Sequence, residues 1–325
     1  MTLKSCVCPV VIMIQVASAL GPAMAAEDYP TRPLRLVLPY PAGGTSDILG
    51  RTIAQKLTNP LGQQVIVDNR PGADGIIACT AVATARPDGH TILLIATSFT
   101  VNPSLHANLP YDPIKSFTAI SLAAVVANVI AIHPSVPAKS VAELIALARA
   151  NPGKLNYAVS GMGTASALGM QLLKERTKTD MTLIPYKGIP ALITDLISGQ
   201  VDLSLNTLPG LLPFVRNRQI RPIAVTGVTR SKVLPDVPTV AESGYSGFEA
   251  NTWYGVIAPA KVSRTMVGRL NAEIVKLLNS SEVAENLLRA GFEVQTSTPE
   301  QFAEFIKQEI SKWGAVVRSS GLKIK

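Results

Sequence analysis

Residues 33–57, PLRLVLPYPAGGTSDILGRTIAQKL, give the first indication of the architecture. Residues 33–38 form a mostly apolar run that predicts a buried strand, and apolar residues then recur at helical spacing over residues 47–57. The loop between them, residues 40–47, contains two adjacent glycines, which let the backbone approach a ligand closely. A strand, a glycine-bearing loop and a helix in this order are typical of a βα unit in a parallel sheet.

The same alternation continues along the chain. Further strands are predicted at residues 64–67, 91–96, 129–132, 155–159, 183–185, 201–205, 223–226 and 253–258, and further helices at residues 75–83, 140–150, 164–176, 191–197, 266–278 and from a cap at Thr298 to a stop at Gly321. This alternation indicates parallel sheets with helices on both faces. Because about 300 residues is large for one such sheet, we expect two.

The N-terminal segment differs from the rest of the chain. Lys4 is the one charged residue among residues 1–26, and an apolar stretch covers residues 7–20. That stretch is shorter than the roughly 20 apolar residues of a membrane-spanning helix. Small residues at Ala23 and Ala25 follow, so residues 1–25 are predicted to be a cleaved secretory signal peptide. We therefore expect a periplasmic protein; an uncleaved anchor is the alternative.

Composition argues against several classes of protein. Charged residues make up 16% of the chain, and the formal net charge of +8 comes from scattered Lys and Arg residues. Nothing in this pattern resembles a basic track for nucleic acid. Cys79 is the one cysteine outside the predicted signal peptide, which excludes an internal disulfide in the mature chain. Its neighbours are small and apolar, so we expect a buried, unreactive thiol.

Two loops have the character of anion sites. Residues 40–47 and 160–166 each join a predicted strand to a predicted helix, and each contains two glycines. Thr45 or Ser46 can cap the first helix, and free backbone N–H groups at a helix start bind anions. The alternative for each loop is a tight turn with an ordinary cap. A dinucleotide site in the second loop is disfavoured, because Ser166 stands where close packing requires Gly or Ala.

The sequence lacks the patterns of a catalytic or metal centre. The nucleophile elbow Gly-x-Ser-x-Gly is absent, and the histidines His90, His106 and His133 are isolated from one another. No cluster of His, Cys and carboxylate residues has the spacing of a zinc site. We therefore expect no enzyme activity, no cofactor and no metal.

Short motifs in order along the mature chain resemble the Bug or TctC family, the extracytoplasmic receptors of tripartite tricarboxylate transporters. They are YPTRP (29–33), PYPAGG (39–44), NRPG (69–72), RPDG (86–89), NPSL (102–105), LPYDP (109–113), PAKS (137–140), NPGKLNY (151–157), PYKG (185–188), GQVD (199–202) and LPDVPT (234–239). The resemblance implies a periplasmic-binding-protein fold, with two doubly wound α/β lobes, a cleft between them and two crossover strands. It places residues 27–125 and 249–325 in one lobe and residues 126–248 in the other.

The resemblance also implies a binding site for a small organic anion, which in this family is mostly a carboxylate. No catalytic residue is implied. The implied ligand-binding residues lie in the two glycine loops and near them: Tyr40, Pro41, Ala42, Gly43, Gly44, Thr45, Asp47, Thr97, Ser98, Asn102, Gly161, Gly163, Thr164, Ala165, Ser166, Lys187, Gly188 and Asn206.

Departures from the family's usual pattern bear on the ligand. Ala167 stands where a His is common, Asn206 where an Asp is common, and Ile189 and Pro190 where small residues are usual. A neutral Asn206 removes a partner for an ammonium group, which favours a plain carboxylate over an amino acid. Ile189 and Pro190 indicate an apolar wall, which suits an aromatic carboxylate as well as a linear one.

The function that follows from the resemblance is that of a monomeric solute receptor. Hinge closure would clamp the ligand between helix N-termini of both lobes. The closed form would then deliver it to the membrane permease subunits of a tripartite transporter. The alternative is a ligand-sensing receptor that uses the same cleft to signal through a partner protein.

Overall fold

The computed structural model describes residues 29–320 as an α/β protein with two β-sheets. The predicted signal peptide and the predicted helix stop at Gly321 lie outside the described residues. The strands are β1 (Leu34–Leu38), β2 (Val65–Asn69), β3 (Thr91–Ala96), β4 (Phe117–Val126), β5 (Asn128–Ile132), β6 (Asn156–Val159), β7 (Thr182–Pro185), β8 (Leu203–Thr207), β9 (Arg221–Val225), β10 (Thr252–Pro259) and β11 (Glu293–Val294).

Helices connect most of these strands. They are α1 (Thr45–Leu61), α2 (Ile76–Ala83), α3 (Ser98–Leu105), α4 (Val141–Ala150), α5 (Ala165–Thr177), α6 (Ile189–Ser198), α7 (Leu208–Arg216), α8 (Arg264–Leu278), α9 (Ser281–Arg289) and α10 (Pro299–Ser320). A short 3-10 turn, Ala73–Gly75, precedes α2. Within residues 29–320, no helix combines the length and the apolar character that a membrane crossing requires.

The first sheet has the strand order β11-β4-β10-β3-β1-β2. β1 pairs in parallel with β2 and β3, whereas β10 runs antiparallel to β3 and β4. Successive side chains of a strand point to opposite faces. Leu36 accordingly lies in a core with α1 and α8, and its neighbour Val37 lies in a core with α2 and α10. This sheet and its helices form the first lobe.

The second sheet has the order β7-β6-β8-β5-β9. β6 pairs in parallel with β7 and β8, and β5 runs antiparallel to β8 and β9. Ile130 lies in a core with α4 and α5, while Val129 lies in a core with α6 and α7 on the opposite face. This sheet and its helices form the second lobe. The predicted α/β fold with two lobes, each covered by helices on both faces, is confirmed. The prediction of parallel sheets is wrong in part, because β5 and β10 run antiparallel to their neighbours and make both sheets mixed.

The chain passes twice between the lobes, at Ala127 between β4 and β5 and along residues 226–251 between β9 and β10. Asn128 ties the two passages together. Its side-chain amide donates to the carbonyl of Ala250, and its backbone N–H donates to Thr226 Oγ1 (3.0 Å). A further apolar core joins α3 and α10 to α5 across the lobes and consists of Val101, Leu105, Ala165, Leu168, Trp313 and Val317.

Three helix caps were predicted, and two of them are confirmed. Thr298 Oγ1 accepts the backbone N–H of Gln301 (3.2 Å) at the start of α10. Ser140 Oγ accepts the backbone N–H of Glu143 (3.2 Å), as predicted for α4. The predicted cap of α1 is wrong. Its N-cap is Gly44, which has no side chain to offer, and Thr45 and Ser46 lie inside the first turn. Both hydroxyls are therefore free of a capping role.

Several elements were not predicted from the sequence pattern, among them the short helices α3 and α7 and the ten-residue strand β4. Pro103 lies inside α3 and Pro213 inside α7, and an internal proline normally argues against a helix. In β4, the sequence FTAISLAAVV shows no alternation of polar and apolar residues. Helices cover both faces of this strand, so both sets of side chains are apolar or small.

Candidate ligand-binding site

A cavity that is partly open to solvent lies between the two lobes. It collects the carboxyl ends of the parallel strands of both sheets, where open α/β folds bind their ligands. The residues that line it are Tyr40, Pro41, Gly44, Thr45, Ser46, Ala96, Thr97, Ser98, Thr252 and Tyr254 of the first lobe and Ser160, Thr164, Ala165, Ser166, Gly188, Ile189, Pro190 and Thr207 of the second.

Five helix N-termini converge on this cavity. Their N-cap residues all line it: Gly44 of α1, Thr97 of α3, Thr164 of α5, Gly188 of α6 and Thr207 of α7. The first backbone N–H groups of a helix have no partner inside the helix, and its dipole places partial positive charge at that end. Helix ends from both lobes therefore make the cavity attractive to an anion.

The lining has no charged side chain, and Ile189 and Pro190 give it the apolar part that the sequence predicted. Most of the lining residues carry a hydroxyl group, and none of them is Asp, Glu, Lys, Arg or His. Tyr40 OH and Ser98 Oγ lie 2.8 Å apart, and burial raises the pKa of Tyr40 above its ordinary value. Burial likewise raises the pKa of Tyr254. Both phenols therefore remain neutral hydrogen-bond donors.

Ser46 is the clearest candidate for a direct ligand contact. Its side chain is buried, with 2% of the residue exposed. Its Oγ has no hydrogen-bond partner within the described part of the chain, although it lies on the cavity wall. A buried hydroxyl without a partner costs free energy, and a ligand oxygen in the cavity would remove that cost.

The first glycine loop is held by its own lobe through Asp47. This carboxylate accepts hydrogen bonds from the Gly43 N–H (3.0 Å), Arg51 Nε (2.9 Å) and Asn69 Nδ2 (3.1 Å). Burial acts to raise the pKa of Asp47, but these hydrogen bonds outweigh it and leave the pKa below its ordinary value. Asp47 does not line the cavity, and its hydrogen bonds fix the loop.

The second glycine loop is held in part by the opposite lobe. Thr164 Oγ1 accepts the N–H of Ala167 (3.2 Å) and donates to the carbonyl of Gly161 (2.8 Å), which caps α5. The N–H of Gly163 donates to Asp74 Oδ2 (3.0 Å), and Asp74 belongs to the first lobe. Burial raises the pKa of Asp74 above its ordinary value.

A second compartment adjoins the cavity and shares Tyr40, Pro41 and Ser160 with it. Its remaining lining residues are Pro39, Pro71, Gly72, Ala73, Asp74, Gly75, Gly161, Met162, Pro185, Tyr186 and Lys187. Unlike the cavity, this compartment has charged residues on its wall.

The structure distributes the predicted site residues over three places. Ten line the cavity: Tyr40, Pro41, Gly44, Thr45, Thr97, Ser98, Thr164, Ala165, Ser166 and Gly188. Gly161 and Lys187 line the adjoining compartment. The other six, Ala42, Gly43, Asp47, Asn102, Gly163 and Asn206, line neither space.

Two of these six residues are buried amides behind the site. Asn102 Nδ2 donates to the carbonyl of Asp74 (3.2 Å), so it supports the 3-10 turn. Asn206 Nδ2 donates to Ser204 Oγ (2.7 Å), while its Oδ1 has no partner within residues 29–320.

Sequence reasoning missed part of the lining, including Ser46, Thr207, Thr252 and Tyr254. Thr207 follows β8 as Thr97 follows β3, so the rule that ligands bind at strand ends could have found it. Thr252 and Tyr254 begin the antiparallel strand β10, and no local signal marks them.

Hydroxyl groups on the cavity wall connect the two lobes to each other and to the passages between them. Thr45 Oγ1 and Thr207 Oγ1 lie 2.7 Å apart and join α1 of the first lobe to the second. Ser166 Oγ (3.3 Å) and Thr252 Oγ1 (3.2 Å) both donate to Asn128 Oδ1, beside the passages between the lobes. Cavity side chains therefore contact the segment at which the lobes would hinge.

The chemistry of the site is that of binding. Its wall has neither a general base nor an activated nucleophile. In residues 29–320, no group of three or more His, Cys, Asp or Glu residues could hold a metal ion. Cys79 is 2% exposed, and burial raises the pKa of its thiol to about 12, which agrees with the predicted unreactive thiol.

Two lobes around a cavity lined by helix N-termini define a solute-binding receptor. The chain belongs to the family described as "Tripartite tricarboxylate transporter family receptor", which residues 49–322 match. The predicted Bug or TctC membership is thus confirmed, and the family consists of receptors, not enzymes. The chain is 35% identical over 318 residues to the protein BugT of Bordetella pertussis (strain Tohama I), covering 97% of this chain and 98% of BugT.

Solved structures show the same architecture. Rpa4515 of R. palustris, solved with adipate, has a TM-score of 0.89 and 35% sequence identity, covering 91% of this chain and 100% of that one. MatC (Rpa3494) from Rhodopseudomonas palustris, solved with bound malate, has a TM-score of 0.84 and 31% identity, covering 89% of this chain and 100% of MatC.

Proposed function

We propose that this protein is a periplasmic receptor that binds a small organic carboxylate in the cavity between its lobes and delivers it to a membrane permease. The observation that carries the proposal is the convergence of five helix N-termini, from both lobes, on one uncharged cavity. Adipate and malate, the ligands of the two solved relatives, are both carboxylates. The predicted signal peptide supports the periplasmic location.

Uncharged groups suffice for such binding. A hydrogen bond to a charged group contributes about 1.5–3 kcal/mol, and a helix N-terminus contributes about 0.3–1 kcal/mol. A few of each reach micromolar affinity, about −8 kcal/mol, after the cost of ordering. Because donors come from both lobes, the ligand stabilises the closed form, and closure is the signal that a permease can recognise.

A thermal-shift screen of the mature, refolded, ligand-free protein tests the carboxylate claim. The panel contains dicarboxylates, tricarboxylates, aromatic carboxylates, amino acids and neutral solutes. A ligand at 100 times its dissociation constant adds about 2.7 kcal/mol to the free energy of unfolding, which raises the Tm by several degrees. A response to amines or neutral solutes alone would refute the carboxylate claim.

Matched variants locate the binding event. Ser160→Leu places a branched side chain on the wall that the cavity shares with its neighbour, so the Tm shift should vanish. Gly268→Ala is the control, because a Cβ at Gly268 meets nothing within 4 Å. Retention of the full shift in Ser160→Leu would place the ligand outside the cavity.

Delivery to a permease needs its own experiment. The mature protein, a monomer in this proposal, is cross-linked to membranes that contain the candidate permease subunits, with and without the carboxylate found in the screen. Ligand-dependent cross-linking to the permease supports delivery. Cross-linking to a membrane sensor protein instead would make the chain a sensing receptor with the same cavity.

A further inference from the structure

Two charged residues of opposite sign line the compartment that adjoins the cavity. Asp74 and Lys187 line that compartment, and none of its other lining residues is Asp, Glu, Lys, Arg or His. Lys187 is exposed, whereas Asp74 is half-buried. Water and salt screen an exposed charge strongly and a partly buried charge much less. The negative charge of Asp74 therefore contributes more than the positive charge of Lys187 to the electrostatic potential in the adjoining compartment.

Asp74 is held firmly in this position. Its Oδ2 accepts the Gly163 N–H (3.0 Å), and its backbone carbonyl accepts Asn102 Nδ2 (3.2 Å). Asp74 and its neighbour Ala73 both have left-handed backbone angles, with φ of 50° and 45°. Residues other than glycine rarely adopt this conformation, and such strain clusters at functional positions.

The contact with Gly163 has a consequence for anion recognition. The second glycine loop has an amide donor at Gly163, but an internal carboxylate already occupies it. A ligand carboxylate cannot use that donor unless Asp74 moves away. Burial also raises the pKa of Asp74, which shows that its charge is poorly solvated. A second anion near this carboxylate would raise the free energy further.

We propose that Asp74 is a charge filter: the cavity accepts one carboxylate, and Asp74 disfavours a second carboxylate at the end of the ligand that reaches the adjoining compartment. The preferred ligand is thus a monocarboxylate whose far end is neutral or cationic. This inference rests on the proposed function, because it concerns the far end of a carboxylate already bound in the cavity. Like charges brought together on binding weaken association markedly.

Three probes of equal chain length test the filter: adipate, hexanoate and ε-aminohexanoate. Their affinities for the mature wild-type protein are measured by calorimetry at about pH 8, where carboxyl groups of ordinary pKa are ionised. The same titrations are run on Asp74→Asn and Asp74→Gly. Asn tolerates a left-handed backbone better than most residues and keeps an acceptor for Gly163, and Gly has no side chain to strain.

The filter predicts that wild-type protein binds adipate at least about tenfold more weakly than the better of the other two probes. Both Asp74 variants should reduce that ratio by about tenfold or more, mainly by binding adipate more tightly. Lys187→Met tests whether the far carboxylate pairs with this neighbouring positive charge. Lys139→Met, at an exposed lysine that lines neither space, is the control and should leave the ratio nearly unchanged.

Each other outcome overturns the filter in a recognisable way. If the ratio is the same in wild-type protein and both Asp74 variants, Asp74 only connects the lobes, and the proposed receptor function stands. If Lys187→Met selectively weakens adipate, the far carboxylate pairs with Lys187. If no carboxylate of any length binds to the wild-type protein or the variants, the proposed function fails and the filter fails with it.

Discussion

The two glycine loops of this receptor look alike in sequence but are held in different ways. Both follow a parallel strand and open a helix. The first loop has no side-chain cap, and Asp47, from its own helix, fixes it. The second loop has a cap of its own, Thr164, but its Gly163 amide is bound by Asp74 from the opposite lobe.

This difference means that the first loop forms a preformed half-site, whose shape does not depend on closure. The second loop forms a conditional half-site, which is complete only when the lobes close. Every hydrogen bond to the Asp47 carboxylate comes from the first lobe, so the first loop should keep its shape when the lobes open. The bond between Gly163 and Asp74 joins the two lobes, so opening of the cleft should break it. We therefore expect the first loop to bind the ligand initially and the second to complete the site on closure.

The largest effect on ligand affinity is expected from Gly161→Ala, which changes the second glycine loop. A Cβ at Gly161 would lie 2.2 Å from Asp74 Oδ1, so closure requires Asp74 to release Gly163. Overpacking costs about 1–3 kcal/mol, and a lost hydrogen bond to a charged group about 1.5–3 kcal/mol. Ligand affinity should fall by at least about 100-fold, as measured by calorimetry with the carboxylate found in the screen.

Opening the lobes relieves the clash of Gly161→Ala with Asp74 but not the strain of an alanine at the positive φ of Gly161, so the unfolding temperature of the ligand-free protein should fall, but less than ligand affinity does. Gly268→Ala, with open space around its Cβ, should leave ligand affinity unchanged and raise the unfolding temperature slightly, because alanine favours a helix more than glycine does. Small-angle scattering should show that the Gly161 variant remains extended in saturating ligand. A compact, ligand-bound Gly161→Ala protein would show that Asp74 and Gly163 are not joined on closure.

Ser46→Ala changes the helix start that follows the first glycine loop and should have the next largest effect on ligand affinity. Its Oγ is buried without a partner in the described residues, so its removal should leave the ligand-free protein as stable as before or more stable. Affinity should nevertheless fall by about tenfold, because one hydrogen bond to a charged group is lost. Equal losses of stability and affinity would indicate that Ser46 supports only the fold.

The sequence alone predicted the overall architecture because hydrophobic periodicity is a local property. The strand before Tyr40 and the helix after Asp47 follow from a short window, and both exist. The lining was predictable where a glycine loop marks it. Thr252 and Asp74 reach the site only because distant segments pack together, and no pattern in the nearby sequence records that packing.

Asp47→Asn tests whether the first loop is held locally. The variant loses the charge-assisted bond from Arg51, so the free energy of unfolding at neutral pH should fall by about 1–3 kcal/mol. Because the folded-state pKa of Asp47 is lowered, its contribution is present above the unfolded-state pKa and is lost as pH falls through the folded-state pKa.

Denaturant unfolding of wild-type and Asp47→Asn protein over a range of pH provides the measurement. The difference between them should be constant near neutral pH and shrink below about pH 4. A difference that persists unchanged in acid would mean that the carboxylate charge does not hold the loop. Affinity should fall only severalfold, because the ligand itself can reorder the loop.

The smallest effect on ligand affinity is expected from Thr207→Val, which removes a hydroxyl contact between the two lobes. Thr45 Oγ1 and Thr207 Oγ1 lie 2.7 Å apart across the cleft, and valine keeps the branched shape without the hydroxyl. A neutral hydrogen bond contributes about 0.5–1.5 kcal/mol, so affinity should fall by roughly threefold to tenfold. If the bond forms only on closure, a double-mutant cycle with Thr45→Val should give a coupling in ligand affinity and none in ligand-free stability. Coupling in both ligand affinity and ligand-free stability would mean that the lobes are already closed without ligand. The first loop would then not bind the ligand before the second.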